Sequence, residues 1–116
     1  MPVIPPQEQW NAYIKAFNTD DPEERATLLH QSAADGVIFT NPGGSGSTRA
    51  ALSAHIAEFR TKMPGAYFGT DKTLVTQDEL LAVWSMYKGD GTKLATGYNF
   101  VQFDQAGKLA YMAGFF

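Results

Sequence analysis

The chain has 116 residues and a mass of 12.7 kDa, enough for one domain with a hydrophobic core over residues 1–116. Hydrophobic residues make up 44% of the sequence and charged residues 18%, so we expect an ordered protein with some surface covered in a homodimer. The net charge of −3 argues against nucleic-acid and anionic-membrane binding, and the lack of cysteine excludes disulfides and thiol nucleophiles.

The N-terminal segment, MPVIPPQ, has neither a basic stretch nor a long apolar run. We therefore predict no signal peptide and a cytoplasmic protein. Apolar residues then follow at the i, i+3, i+4, i+7 spacing of one helix face: Trp10, Tyr13, Ile14 and Phe17. This spacing predicts a first helix with a single buried face.

A second helix is predicted to start at Asp21 and Pro22, because Asp caps helix N-termini and Pro suits the first turn. We expect it to end between residues 30 and 33. The pair Asp35-Gly36 is typical of a turn, and the apolar run Val37-Ile38-Phe39 predicts a short strand.

The segment from Asn41 to Gly46 is rich in glycine and predicts a loop, which we interpret as a flexible lid over a pocket mouth. Ser47 or Thr48 can then cap a third helix. The apolar stripe of that helix consists of Leu52, Ile56, Phe59 and Met63. Pro64-Gly65 is expected to end it.

The C-terminal half predicts antiparallel strands over residues 67–75 and 80–87, followed by a hairpin over residues 93–116. Asp90-Gly91 and the segment from Asp104 to Gly107 are the expected turns. Both hairpin arms are almost wholly apolar, so we expect both faces to be covered. The order α-α-β-α-β-β-β-β predicts an α+β fold with helices packed on one face of a curved sheet.

Motifs along most of the chain resemble those of the nuclear-transport-factor-2-like (NTF2-like) superfamily, which includes ketosteroid isomerases and SnoaL-like polyketide cyclases. They are WNAYIKAFN in the first helix, ADGVIFTNP before the glycine loop, FRTKMPG after the third helix, and GYNFVQFDQAGKL with the closing AGFF. The resemblance implies a cone-shaped domain in which three helices pack on a strongly curved, mostly antiparallel sheet. It also implies an apolar pocket, a dimer through the outer sheet face, and no cofactor.

The isomerase branch of this superfamily implies roles for three positions. Tyr13 matches its oxyanion-binding Tyr, and Asn99, five residues before Asp104, stands where the branch has a second, protonated Asp donor. Asn41, directly before Pro42, stands where the branch has its general-base Asp. Two hydrogen-bond donors are therefore present while the base is missing.

His55 is the candidate for the missing base, because imidazole titrates near neutral pH. The alternative is a histidine on the flank of the third helix. Tyr13 has the alternative role of a core residue, and Asn41 that of a turn residue. Asn99 interrupts an apolar strand, which favours a polar contact inside a pocket. His30 and His55 have no carboxylate pattern beside them, so we predict no metal site.

The sequence thus leaves two functions open. The first is a pocket for a small apolar or aromatic molecule with a carbonyl or hydroxyl, in a binding protein or an isomerase-, cyclase- or dehydratase-type enzyme. The second is a non-catalytic dimeric binding or scaffold module. Further residues predicted to line the pocket are Trp10, Phe17, Phe39, Phe59, Trp84, Met86, Met112 and Phe115.

Overall fold

Three helices are present in the part of the chain that the computed structural model describes, residues 4–116. They are α1 (Pro6–Phe17), α2 (Pro22–Ser32) and α3 (Arg49–Lys62). None of the helices within residues 4–116 is both long and apolar enough to cross a membrane. Residues 1–3, which belong to the segment predicted not to be a signal peptide, lie outside the described range.

Local capping chemistry sets where α2 and α3 begin. The side chain of Asp21 accepts a hydrogen bond from the backbone N–H of Glu23, at 3.1 Å. The side chain of Thr48 accepts one from the N–H of Ala51, also at 3.1 Å. Each contact satisfies a backbone donor that the first helical turn leaves unpaired, so both predicted helix starts are confirmed.

Six strands of residues 4–116 form one sheet: β1 (Ala33–Asn41), β2 (Gly44–Ser47), β3 (Tyr67–Thr76), β4 (Glu79–Tyr87), β5 (Lys93–Phe103) and β6 (Leu109–Phe115). Their spatial order is β2-β1-β6-β5-β4-β3. All neighbours are antiparallel except β1 and β6, which run parallel. The predicted α+β class with a mostly antiparallel sheet is confirmed.

Two predictions for the region around β1 are wrong. Asp35-Gly36 lies inside β1, at an irregularity in its pairing with β6, because the sheet accommodates these residues as a local distortion. The glycine segment is not a loop throughout, since Gly44–Ser47 pairs with β1 as a strand, and the interpretation as a lid rested on that loop. The ring of Phe39 lies over Gly46, where an added Cβ would come within 2.8 Å of it.

The two predicted turns among the C-terminal strands are confirmed. The N–H of Gly91 donates to the carbonyl of Lys88 at 2.9 Å. The N–H of Gly107 donates to the carbonyl of Asp104 at 2.9 Å, and Gly107 has a φ of 79°, a left-handed conformation that favours glycine. These turns fix the register in which β4, β5 and β6 present their side chains.

The sheet has an inner face against the helices and an outer face without cover in the single chain. Inner-face residues such as Val101 and Met112 pair across β5 and β6 and are buried. On the outer face Tyr98 and Phe115 pair with each other and are 50% and 58% exposed. The expectation that both faces of the hairpin are covered is therefore wrong for the chain by itself.

Candidate functional site

A cavity of about 270 Å³ lies between the inner face of the sheet and helices α1 and α3. Its apolar wall contains all but one of the residues predicted for it: Trp10, Phe17, Phe39, Phe59, Trp84, Met86 and Met112. Tyr13, Asn41, His55 and Asn99 line the same cavity. The four side chains singled out for chemistry are thus brought to one place by α1, β1, α3 and β5.

Phe115 does not line the cavity, contrary to the prediction. Successive strand residues face opposite sides of a sheet, and Phe115 pairs with outward-facing Tyr98. Gly114 takes the inward position, where an added Cβ would lie 3.1 Å from Oδ1 of Asn99 and 3.3 Å from Cβ of Asn41. The ring that borders the cavity here is that of Phe116, packed edge-on against Trp84.

Phe68 is a wall residue that the sequence did not indicate. It follows Tyr67 at the start of β3, so sequence alone does not decide which of the two rings faces inward. In the structure Phe68 lies against Phe17 and Trp84, with ring centroids 5.0 and 5.2 Å away. Its position closes the cavity on the β3 side.

Asn99 is a buried polar side chain of the cavity, carried by β5. The indole N–H of Trp84, one strand away, donates to Oδ1 of Asn99 at 2.9 Å. An indole nitrogen only donates, so the oxygen must face Trp84 and the Nδ2 amide group must face away from it. None of the hydrogen bonds described for residues 4–116 involves Nδ2, and Nδ2 is not one of the fully buried atoms without a partner, so it is accessible from the cavity. Asn99 therefore carries two N–H donors that a bound molecule can use.

Tyr13 lies on α1 between Trp10 and Phe17, with ring centroids 5.3 and 5.9 Å away. The side chain is buried, and burial raises the pKa of its hydroxyl far above the usual value. None of the hydrogen bonds described for residues 4–116 involves this hydroxyl, and it is not one of the fully buried atoms without a partner, so it is accessible from the cavity. Tyr13 thus keeps its proton and has a donor available in the cavity.

Asn41 and His55 form a polar pair at the end of β1. Oδ1 of Asn41 accepts the backbone N–H of Gly43 at 2.8 Å, and Nδ2 of Asn41 is 3.2 Å from Nε2 of His55. The imidazole lies near the rings of Phe17 and Phe39, with centroids 6.3 and 5.4 Å away. Asn41 is therefore a turn residue and a cavity residue at once.

Burial lowers the pKa of His55, with nearby Lys62 acting in the same direction and Glu58 opposing it. Glu58 and Lys62 also border the cavity, where they form an exposed ion pair at 2.6 Å. The hydrogen bond and charge of Lys62 lower the pKa of the Glu58 carboxyl. At neutral pH the imidazole is thus uncharged, and the charges of the site lie at its exposed rim.

Within residues 4–116 no three His, Asp or Glu side chains lie together in a metal-binding arrangement. The polar groups of the cavity are amides, a phenol and an imidazole, which suit hydrogen bonding to a neutral molecule or an oxyanion. The site can bind an oxygen atom through hydrogen bonds, but the one carboxylate that borders it, Glu58, lies at its exposed rim.

Comparisons with known proteins agree with this architecture. A family model described as a SnoaL-like domain matches residues 10–112. The chain is similar to a candidate isomerase of the SnoaL-like family from Agrobacterium tumefaciens, with 24% identity, a TM-score of 0.89 and 94% of each chain covered. No match was found among the curated proteins.

Two further solved structures share the fold at lower identity. A candidate polyketide cyclase from Sinorhizobium meliloti has 13% identity and a TM-score of 0.74, with 96% of this chain and 94% of that chain covered. An NTF2-like protein of unknown function from Cytophaga hutchinsonii has 10% identity and a TM-score of 0.71, with 98% and 90% covered. The predicted NTF2-like fold is confirmed.

Proposed function

This chain belongs to the SnoaL-like domain family, and we propose that it binds a small, mostly apolar molecule by a carbonyl or hydroxyl oxygen. The observation that carries the proposal is the amide of Asn99, whose N–H donors have no partner in an aromatic cavity. Because Nδ2 is accessible from the cavity, a ligand oxygen can accept from it, and such a hydrogen bond contributes about 0.5–1.5 kcal/mol. Tyr13 supplies a second donor for the same oxygen.

The cavity volume limits the size of the ligand. A volume of about 270 Å³ is at the small end of ligand sites, which typically measure about 300–1,000 Å³. Aromatic side chains dominate the walls, and they favour planar apolar molecules. We therefore assign the site to compounds with one or two rings and one polar oxygen.

Turnover of the isomerase or cyclase type is the second candidate function. By the sequence resemblance, Tyr13 and Asn99 match the oxyanion donors of the isomerase branch. Two structural neighbours are named as a candidate isomerase and a candidate cyclase. Such a reaction also needs a base, and Asn41 is not basic. Binding without turnover is therefore the function that these residues support best.

A thermal-shift screen against one- and two-ring ketones, phenols and lactones tests the proposal. A ligand at a hundred times its Kd adds about 2.7 kcal/mol to the free energy of unfolding, which raises the Tm of a domain of this size by about 10 °C. We expect Asn99→Leu to abolish the shift. Gln102→Leu, which removes an exposed amide from the same strand, is the matched control and keeps it.

A screen without any shift for the wild type would overturn the proposal. The chain would then be a non-catalytic module whose cavity serves packing alone. Turnover is tested on any compound that binds, by following loss of substrate with wild type and with His55→Gln. Turnover that persists without the imidazole would exclude His55 as its base.

We propose further that two copies of the chain pair through the outer face of the sheet. The support is a set of exposed apolar side chains on neighbouring strands, Ile38, Leu81, Tyr98 and Phe115. Covering such a surface is favourable by about 25 cal/mol per Å² of apolar area. Sedimentation equilibrium tests this: we expect a dimer for wild type and for Thr27→Arg on α2, and a monomer for Tyr98→Arg.

A further inference from the structure

We propose that Asn41 holds His55 as a neutral imidazole with its proton on Nδ1, so that His55 is a third hydrogen-bond donor of the cavity and not its base. This inference rests on the proposed ligand site and specifies its chemistry. It predicts that the site prefers ligands that accept hydrogen bonds, such as ketones and lactones, over ligands that donate them, such as amines.

The orientation of the Asn41 amide follows from its contact with Gly43. A backbone N–H only donates, so the atom of Asn41 that lies 2.8 Å from the Gly43 nitrogen is the oxygen Oδ1. The other end of the same amide is therefore Nδ2, which also only donates. Nδ2 is the atom that lies 3.2 Å from Nε2 of His55.

The tautomer of His55 follows from this contact in turn. Nε2 must accept the amide hydrogen, so in the neutral ring the proton is on Nδ1. A second proton, on Nε2, would place an N–H donor of His55 opposite the Nδ2–H donor of Asn41, with no acceptor between them. Burial, which lowers the pKa of His55, acts in the same direction. The Nε2 lone pair is thus occupied, and Nδ1 has no lone pair to act as a base.

The charged neighbours of His55 do not reverse this state. Phe17 on α1 and Phe39 on β1 pack near the ring and carry no charge. Glu58 and Lys62, on the helix of His55 itself, shift its pKa in opposite directions and pair with each other. No carboxylate within residues 4–116 forms a hydrogen bond or ion pair with the imidazole.

At Asn99, as at Asn41 and His55, the acceptor atom already has a donor from the protein. The cavity is therefore expected to prefer ligands that accept hydrogen bonds. The Oδ1 of Asn99 is taken by Trp84, the Oδ1 of Asn41 by Gly43, and Nε2 of His55 by Asn41. None of the hydrogen bonds described for residues 4–116 uses Nδ2 of Asn99 or Nδ1 of His55, and neither atom is fully buried without a partner, so both remain accessible. With the hydroxyl of Tyr13, a ligand thus meets chiefly donors.

The tautomer is measured directly by long-range ¹H–¹⁵N NMR on uniformly ¹⁵N-labelled protein at pH 8. The chain has two histidines, and His30→Gln assigns the signals of His55. We expect the Nδ1–H pattern for His55 in the wild type. An Nε2–H pattern would overturn the inference, whether or not any ligand binds, so this result is separable from failure of the proposed function.

Asn41→Asp provides the matched variant. A carboxylate accepts from both Gly43 N–H and His55, so the two contacts persist while the direction of the second is reversed. We expect the Nε2–H pattern in this variant and a higher imidazole titration midpoint than in the wild type. An unchanged pattern would show that Asn41 does not set the tautomer. Should the variant fail to fold, the wild-type spectrum alone decides.

Ligand preference is tested with acetophenone and 1-phenylethylamine. The ketone oxygen of the first only accepts hydrogen bonds, whereas the amine group of the second carries hydrogen-bond donors. We expect wild type to bind the ketone at least tenfold more tightly. The preference should narrow in Asn41→Asp, where Nδ1 of the neutral ring becomes an acceptor. Tighter binding of the amine by wild type would contradict the assignment of ligand class, while binding of neither compound would bear on the proposed function alone and leave the NMR test decisive.

Discussion

Trp84 on β4 and Asn99 on β5 are diagonal neighbours on the inner face of the sheet, and the 2.9 Å hydrogen bond between them decides which end of the amide a ligand meets. We expect Trp84→Phe to lower the free energy of unfolding by about 2–3 kcal/mol, because Asn99 loses its buried partner and the ring becomes smaller. It should also raise the Kd for a carbonyl ligand several-fold, because the amide orientation is no longer fixed. Urea unfolding and ligand titration measure the two effects.

Trp10→Phe is the control for this prediction. Trp10 is also a cavity residue whose indole donates at 2.9 Å, but to Oγ1 of Thr70 and not to Asn99. We expect a similar loss of stability with a much smaller change in Kd. Equal losses of affinity in the two variants would mean that the Trp84 contact has no special role in orienting Asn99.

Gly97 lies directly beneath the Trp84 ring. An added Cβ would come within 2.3 Å of that ring, so Gly97→Ala must displace it from the cavity wall. We expect a loss of about 1–3 kcal/mol in unfolding free energy, together with weaker ligand binding. Gly69→Ala is the matched control, since its Cβ would meet Tyr87 at an ordinary 3.6 Å. A stable Gly97→Ala protein with unchanged Kd would contradict the prediction.

Arg60 connects the end of α1 to the segment after α3. Its guanidinium group is buried and donates to the carbonyls of Phe17 and Ala66, and to the carboxylate of Asp20 at 2.8 Å. We expect Arg60→Met to lower the free energy of unfolding by about 2–4 kcal/mol, because two carbonyls lose their donor.

The control for Arg60 is Lys62→Met, on the same helix. Lys62 pairs with Glu58 on the exposed surface, and such pairs add little to stability. In chemical unfolding we therefore expect Lys62→Met to have the same free energy of unfolding as the wild type. If both variants lost the same stability, the general loss of a cation would explain the result, and the buried contacts would not.

Local chemistry made most element boundaries predictable. Asp21, Thr48 and Gly107 each act on backbone groups a few residues away, so their roles depend on neighbours in sequence. The strand Gly44–Ser47 was not predictable, because its glycines and serines have little intrinsic preference for strand structure. It exists because β1 offers a partner and Phe39 covers Gly46.

The cavity was predictable in its composition and less so in its contacts. Helical spacing placed Tyr13 and Phe17 on one face, and strand composition marked Asn99 as unusual. Whether Phe115 or the adjacent Phe116 faces the cavity depends on the pairing register of β5 and β6, which the sequence alone does not show. The hydrogen bond from Trp84 to Asn99 joins residues 15 positions apart, and only the sheet register brings them together.

The lowered pKa of His55 predicts how stability depends on pH. Burial places the folded-state pKa below the ordinary value of 6.5, so between the two values the unfolded chain binds more protons than the folded chain. The contribution of His55 to the free energy of unfolding is therefore largest above about pH 6.5 and falls as the pH drops through this window, levelling off below the folded-state pKa. Carboxyls with lowered pKa, such as Asp20, add to the loss only in more acidic solution.

Urea midpoints measured between pH 5 and 7.5 test this dependence. We expect His55→Gln to flatten the slope, because the amide does not titrate, while His30→Gln on the exposed side of α2 controls for the loss of an imidazole as such. Asn41→Asp should also flatten or reverse the slope, because a carboxylate beside the imidazole raises its pKa toward or above the unfolded value. A slope that survives in His55→Gln would show that another group is responsible for it.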